Sequence, residues 1–254
     1  MERVSSNPVP VLEVCIDSVA SALAAEQGGA QRVELCDYLA GGGTTPSAGM
    51  IGVVRQSINI GLHVLIRPRR GDFLYSAAEF EIMKRDIRVC RELEVDGVVI
   101  GALTKGGSID MAGTQALIEA AGSMSITFHR AFDLVADPHK ALGDLLQLNV
   151  HRLLTSGQQE TALQGADLIR ELNVRAAGKL IIMPGGGVTP NNVQELVTRT
   201  GVREVHASLR KSVDSGMLFR KDYPPMSGNR VLSEFEQLVA DAEQVTAMRA
   251  AFKV

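Results

Sequence analysis

The segment VLEVCIDSVASALAAEQGGAQRVELCD, residues 11–37, decides the fold because it contains a strand, a helix and a second strand in that order. VLEVCID (11–17) and RVELCD (32–37) are short apolar runs that are typical of strands. The helix-like segment between them runs up to Gly28 and Gly29, and glycine commonly follows the last turn of a helix. A strand, a crossover helix and a second strand form the basic unit of a parallel sheet.

This unit recurs along the chain. Six further strand-like runs follow, at 62–68, 97–103, 125–131, 152–157, 179–187 and 204–209. Eight strands alternating with eight helices, the last near 231–249, predict an α/β fold, a single (β/α)8 TIM barrel. A doubly wound open sheet is disfavoured because the count reaches eight and no G-x-G-x-x-G follows the first strand. We expect a short N-terminal extension over 1–10, a barrel domain over 11–254, and an irregular loop over 210–230 after strand eight.

The composition of the chain argues against several classes of function. The chain has 254 residues, a formal net charge of −3, 4% aromatic residues and no Trp. A basic footprint and stacking aromatics for nucleic acid are therefore missing from the sequence, and no apolar run reaches the ~20 residues of a membrane span. The N-terminal stretch lacks the apolar region of a secretory signal, and three cysteines do not suggest a disulfide framework. We expect a cytoplasmic protein without nucleic-acid or membrane partners.

Polar residues fall on the side of the strands that faces the barrel lumen. Side chains alternate between the two faces of a strand. Val14 and Ile16 suit the helix layer, which turns Glu13 and Cys15 inward. The same alternation turns a further set of side chains inward, namely Asp17, Glu34, Cys36, Leu65, Arg67, Thr127, His129, His206 and Ser208. Buried charges are costly unless paired, and barrel enzymes place their chemistry at the carboxyl ends of the strands, so this convergence predicts a functional site.

Two inward cysteines lie on neighbouring predicted strands. Adjacent strands are about 4.7–4.9 Å apart, so Cys15 and Cys36 could bring their sulfurs close enough to share one metal ion. Two thiolates are a soft donor pair that suits Cu(I). Zinc is an alternative metal if Glu13, His129 or His206 supplies further ligands. A disulfide between the two cysteines is a second alternative, although a reducing cytosol disfavours it.

Glycine-rich loops and arginines indicate an anion site. MPGGG brings Gly185, Gly186 and Gly187 to the end of strand seven, and Ser208 lies at the end of strand eight. TIM barrels often bind phosphate with these two loops through backbone N–H groups and a helix N-terminus. Arg67, after strand three, could add a charged contact. A simple turn is the alternative explanation of the glycines. No nucleotide cofactor is expected, because the dinucleotide-binding fingerprint is missing.

The ordered motifs EVCIDS, RVELC, GGTTPS, FHRAFD, LTSG and MPGGG resemble those of the CutC copper-homeostasis family, over roughly residues 11–223. Arg70 departs from the glycine common in that family. The resemblance implies a cytosolic TIM barrel that forms dimers or tetramers and takes part in copper handling. It also implies that Cys15 and Cys36 are the cysteine pair that binds Cu(I).

Two functions of different classes follow. The first is copper homeostasis, with Cu(I) bound by the cysteine pair at the barrel mouth. The second is an enzyme of isomerase or lyase type acting on a small anionic or phosphorylated metabolite. In the enzyme, Glu13 or Glu34 would be the general base or acid, His129 its partner, and Arg67 the group that orients the anion.

Overall fold

The structure, a computed structural model, describes residues 9–221 and 233–252. Eight parallel strands form the barrel, and each pairs with its neighbours in the order β7-β6-β5-β4-β3-β2-β1-β8. These strands are β1 Val11–Ile16, β2 Arg32–Leu35, β3 Gly61–Leu65, β4 Gly97–Ile100, β5 Ser125–Phe128, β6 Arg152–Thr155, β7 Ile181–Pro184 and β8 Glu204–Ala207. Strands β7 and β8, at the two ends of this order, lie next to each other, so the barrel is nearly closed. The predicted single (β/α)8 TIM barrel is confirmed.

Helices surround the barrel. They are α1 Val19–Gln27, α2 Ala48–Ser57, α3 Ala77–Glu92, α4 Met111–Ala121, α5 Pro138–Gln147, α6 Ala166–Ala176, α7 Val193–Thr200 and α8 Ala242–Ala251. Short polar side chains begin most of them. Ser76, for example, accepts a hydrogen bond from the Glu79 N–H, and the Glu79 carboxylate accepts one from the Ser76 N–H. This capping box satisfies two backbone donors that the first helical turn leaves free.

Alternation along the strands separates the main core from the lumen. Val14, Ile16, Val33 and Leu35 have no exposed surface and pack in the large apolar core that includes buried residues of the helices. Burying side chains of this size contributes about 1.5–3 kcal/mol each. A separate small apolar cluster contains Cys15, Cys36, Leu65 and Val99. Glu13, Glu34 and Thr127, which the alternation also turns inward, are buried as well, so the lumen holds polar residues together with this small cluster.

The segment after strand eight differs from the sequence-based expectation. Residues 210–230 were predicted to be an irregular loop, but β9, Arg210–Asp214, pairs antiparallel with β10, Glu236–Ala240. The last helix, expected near residue 231, begins only at Ala242. The partner strands are more than twenty residues apart and mostly exposed, so local patterning could not reveal them. Residues 222–232, like residues 1–8 of the predicted extension, lie outside the described residues.

Candidate functional site

A cavity of about 200 Å³ lies at the end of the barrel where the strands finish. Six polar residues predicted to face the lumen line it together, namely Cys15, Glu34, Cys36, Arg67, His129 and His206. A larger cavity of about 660 Å³ lies at the opposite end, around Val11, Gly201 and Arg203, away from these groups. The smaller cavity, which we call the mouth cavity, is the candidate site.

The two predicted metal ligands face each other across neighbouring strands. The Sγ atoms of Cys15 and Cys36 are 3.9 Å apart, and both thiols are buried and free. A carboxylate oxygen of Glu34 lies within 4.8 Å of both sulfurs. The third cysteine, Cys90, packs without exposed surface in helix α3. The chain thus forms one close thiol pair at the mouth.

The two thiols of the pair differ in pKa. A hydrogen bond from Cys36, helped by His206, lowers the pKa of Cys15 to about 5, while burial opposes this change. The same hydrogen bond, together with burial, raises the pKa of Cys36 well above its usual value. At neutral pH Cys15 is therefore a thiolate and Cys36 is the thiol that donates to it. A thiolate is the form that binds metals and attacks electrophiles.

His206 provides the positive charge beside this thiolate. Its Nδ1 lies 2.8 Å from Oε1 of Glu13, and its Nε2 lies 3.7 Å from Oε2 of Glu34. Burial opposes a charged imidazole, but the contacts with Cys15 and Glu13 raise the pKa of His206 well above its usual range. These contacts therefore favour the imidazolium form of His206 between the thiol pair and the carboxyl groups.

The two inward glutamates differ in charge. Burial raises the pKa of Glu34 to about 8, and the neighbouring Cys15 thiolate adds to the effect. Glu13 is fully buried, which would raise its pKa, but Arg32 and His206 hold the pKa well below its usual range. Burial thus favours the protonated form of Glu34, while its cationic neighbours favour the carboxylate form of Glu13.

Glu13 belongs to a buried ionic network below the mouth cavity. The Arg32 guanidinium bonds to the carboxylates of both Glu13 and Glu204. Arg152 Nε donates to the same Glu204 oxygen at 2.8 Å. Glu13 does not line the mouth cavity, so of the four predicted catalytic residues the structure brings Glu34, Arg67 and His129 together there. The catalytic role of Glu13 stays a prediction.

Arg67 ties two loops over the mouth. Its Nη1 donates to the carbonyl oxygens of Gly42 and Gly43 at 2.9 and 3.0 Å, and its Nη2 donates to that of Gly71 at 2.7 Å. Its backbone N–H donates to Thr45 Oγ1 at 2.9 Å. The glycine-rich loop after β2 and the loop after β3 are therefore both anchored on one guanidinium.

The glycine-rich loop after β7, which was predicted to bind an anion, does not line the mouth cavity that contains the thiol pair. The Gly185 N–H donates to the Thr155 carbonyl at 3.0 Å and continues the strand pairing. The following helix, α7, begins only at Val193. Within the described chain, none of Gly185, Gly186, Gly187 and Ser208 is among the residues that line the mouth cavity. Anion binding by these four residues stays a prediction.

Asp133 connects two of the sequence motifs, FHRAFD and LTSG, through hydrogen bonds. It follows His129 in FHRAFD, and one of its oxygens accepts from Thr155 Oγ1 at 2.5 Å while its carboxylate also accepts from the Ser156 N–H at 3.1 Å. Arg130 Nε donates to Asp133 at 2.7 Å, and Arg130 Nη2 donates to Ser156 Oγ at 2.7 Å. This cluster fixes Arg130 at the rim of the mouth cavity, which it lines.

Several buried polar residues were not predicted from the sequence. Arg32, His63 and Glu204 are 6%, 3% and 6% exposed. Each lies two residues before a residue that the alternation turns inward, so extending the same alternation toward the strand starts would have found them. Arg210, the first residue of β9, also lines the mouth cavity; it was missed because residues 210–230 were assigned to an irregular loop, to which the alternation was not applied.

Comparisons with known proteins match nearly the whole chain to members of one protein family. The sequence profile of the CutC family matches residues 10–211. A family protein CutC of Chromobacterium violaceum is 49% identical over 241 residues, which cover 95% of this chain and 97% of that protein. The human copper homeostasis protein cutC homolog is 47% identical over 243 residues, covering 96% and 89%. The CutC structure from Streptococcus agalactiae matches with a TM-score of 0.76 at 36% identity, covering 79% of this chain and 99% of that one.

Proposed function

The chain belongs to the CutC family, and we propose that it is a copper-homeostasis protein that binds Cu(I) through Cys15 and Cys36. The observation that carries the proposal is the pair of buried, free sulfurs 3.9 Å apart at the barrel mouth. Thiolates are the soft ligands that select Cu(I) among the common metal ions. The donor set therefore fits copper as cargo.

The proton shared by the two thiols supports binding by this pair. Cys15 already carries the negative charge that a metal ligand needs, because Cys36 and His206 stabilise it. Binding through both sulfurs displaces the remaining proton of Cys36, so affinity should increase with pH. The mouth cavity, which both cysteines line, provides the route by which an ion reaches them.

Zinc fits the site less well. Zinc sites in proteins use four protein ligands, or three with a water molecule. Of the residues that the structure describes, only Cys15, Glu34 and Cys36 form a group at ligand distance. A zinc site with four protein ligands would therefore need a further residue from outside this group.

Anaerobic titration of the reduced protein with Cu(I), against a competing chelator, tests the proposal. We expect about one Cu(I) per chain to bind tightly, since one thiol pair is available. The double substitution Cys15→Ser and Cys36→Ser should abolish this binding. Cys90→Ser removes a buried thiol of helix α3 and should leave it unchanged. Equal Cu(I) uptake by the double variant and the wild type would refute the assignment.

The proposed function also implies a cellular location. None of the helices in the described part of the chain combines the length and the apolar character of a bilayer span. We infer a cytoplasmic location, because a reducing compartment keeps Cys15 and Cys36 as thiols able to bind copper.

Self-association as dimers or tetramers is also proposed. Leu218 and Phe219, which follow β9, are 99% and 72% exposed, and exposed apolar clusters commonly mark interfaces. We expect Leu218→Asp to shift the protein toward monomers in sedimentation experiments. Leu134→Asp, at another exposed leucine, is the matched control and should not do so. An assembly state unchanged by Leu218→Asp would show that this segment is not the interface.

A further inference from the structure

The wall of the mouth cavity contains a buried guanidinium without a counter-ion. Arg67 is 7% exposed, and its Nη atoms donate to the carbonyl oxygens of Gly42, Gly43 and Gly71. Within residues 9–221 and 233–252, no carboxylate lies within ion-pair distance of it. A buried charge is costly unless an opposite charge compensates it. The carbonyl contacts satisfy hydrogen bonds but leave the positive charge of Arg67 uncompensated.

One donor of Arg67 is also unused. The buried Nε–H has no acceptor in hydrogen-bond geometry among the described residues, and the Tyr75 hydroxyl, which interacts with Arg67, is itself buried without a hydrogen-bond partner there. Most buried donors in folded proteins have a partner, so an unpartnered donor in a residue that lines a cavity indicates a missing acceptor. An acceptor that also carries negative charge would satisfy both requirements of Arg67 at once.

His129 provides a second unused donor on the same wall. Its Nδ1 accepts a hydrogen bond from the Ala131 N–H at 3.1 Å, so in the neutral ring the proton is on Nε2. Burial, with Arg67 nearby, lowers the pKa of His129 to about 3, which keeps the ring neutral. Its Nε2–H is buried and has no acceptor in the described chain.

Phe73 places these two groups side by side. Its ring centroid is 4.9 Å from that of His129, and the Arg67 Cζ atom lies 4.8 Å from the Phe73 ring centroid. All three residues line the mouth cavity, as do Arg130 and Arg210. Arg67, His129 and Arg130 therefore make the side of the mouth after β3 and β5 positive and rich in donors, whereas Arg210 follows β8 and interacts with Cys15 of the thiol pair.

We propose that the mouth cavity binds a small oxyanion, a carboxylate or a phosphate, whose oxygens accept hydrogen bonds from Arg67 Nε and His129 Nε2. The cavity volume of about 200 Å³ suits a ligand of a few heavy atoms. The site uses residues other than the cysteine pair, so it does not depend on copper binding. It also differs in place from the glycine-rich loop after β7.

Calorimetric titration of the copper-free, reduced protein with inorganic phosphate and, separately, with succinate tests this proposal. We expect at least one of the two to bind, and which one binds identifies the chemistry of the oxyanion. Arg67→Lys keeps the charge but removes the Nε donor. His129→Asn can keep an acceptor for the Ala131 N–H but removes the Nε2 donor. Each should weaken binding by about tenfold or more, the usual effect of losing a hydrogen bond to a charged group.

Matched variants separate this site from the rest of the lumen. Arg152→Lys and His63→Asn alter a buried arginine and a buried histidine that do not line the mouth cavity, and both should bind the oxyanion like the wild type. The Cys15→Ser, Cys36→Ser double variant should lose Cu(I) but keep the oxyanion, so the two proposals can fail independently.

The proposal is overturned if neither phosphate nor succinate binds at millimolar concentrations. It is also overturned if Arg67→Lys and His129→Asn both bind as tightly as the wild type. Should either variant fail to fold, nitrogen-15 spectra of histidine-labelled wild type replace it. The His129 Nε2–H resonance should shift when the bound probe is added, and an unmoved resonance would contradict the assignment.

Discussion

Replacing Glu13 by Gln should lower the free energy of unfolding by about 3–5 kcal/mol, the usual cost of removing one partner from a buried ion pair. Glu13 has no exposed surface, and its carboxylate binds both the Arg32 guanidinium and His206. The amide keeps the size of the side chain but removes the charge. Two buried cations then lose a common counter-ion inside the lumen.

Urea unfolding at neutral pH measures this loss. Glu119→Gln, at an exposed position of helix α4, is the matched control and should change stability by less than about 0.5 kcal/mol. A loss below about 1 kcal/mol in Glu13→Gln would mean that the remaining contact of Arg32 with Glu204 suffices, contrary to the expectation from the cost of an unpaired buried charge.

Acidification from pH 6.5 to about 4 should remove about 3 kcal/mol of stability through His63 alone. Burial lowers the pKa of His63 from 6.5 to about 4. Below pH 6.5 His63 is protonated in the unfolded chain but stays neutral in the folded protein. The free energy of unfolding therefore falls with pH until His63 is protonated in the folded protein as well. One pKa unit corresponds to about 1.4 kcal/mol, which gives the size of the loss.

Unfolding in urea at several pH values between 7 and 4 gives this dependence. His63→Asn should lose about 3 kcal/mol less than the wild type over that range, because the asparagine does not titrate. Gln115→Asn, at an exposed position of helix α4, changes no titrating group and should follow the wild type. Parallel curves for wild type and His63→Asn would show that His63 does not carry the acid sensitivity.

The barrel and the composition of the mouth follow directly from the sequence. Strand alternation has a period of two, so once Val14 and Ile16 are assigned to the helix layer, the inward position of Cys15 is determined. The same rule predicted Glu34, Cys36, Arg67, His129 and His206 in one cavity, where the structure has them. Local chemistry, hydrophobic pattern and topology agree at these positions, which is why a local rule sufficed.

Pairings between distant segments were not predictable in this way. The hairpin of β9 and β10 joins residues 210–214 and 236–240; β9 has no buried residue and β10 buries only Ala240, so no alternating apolar face marks either strand in the sequence. In the same way, the local composition of the glycines after β7 could not show that the Gly185 N–H donates to the Thr155 carbonyl of the neighbouring strand. Such bonds depend on which segments meet in space.

The sequence by itself determined the fold and which residue types face the lumen, because hydrophobic periodicity and the order of strands and helices are local properties of the chain. Only the tertiary structure decided the distance between the Cys15 and Cys36 sulfurs, the charge state of Glu34 and the unpartnered donors of Arg67 and His129. Distances, desolvation and hydrogen-bond partners arise from groups on different strands, and their strengths depend on separation and burial, which no single segment encodes.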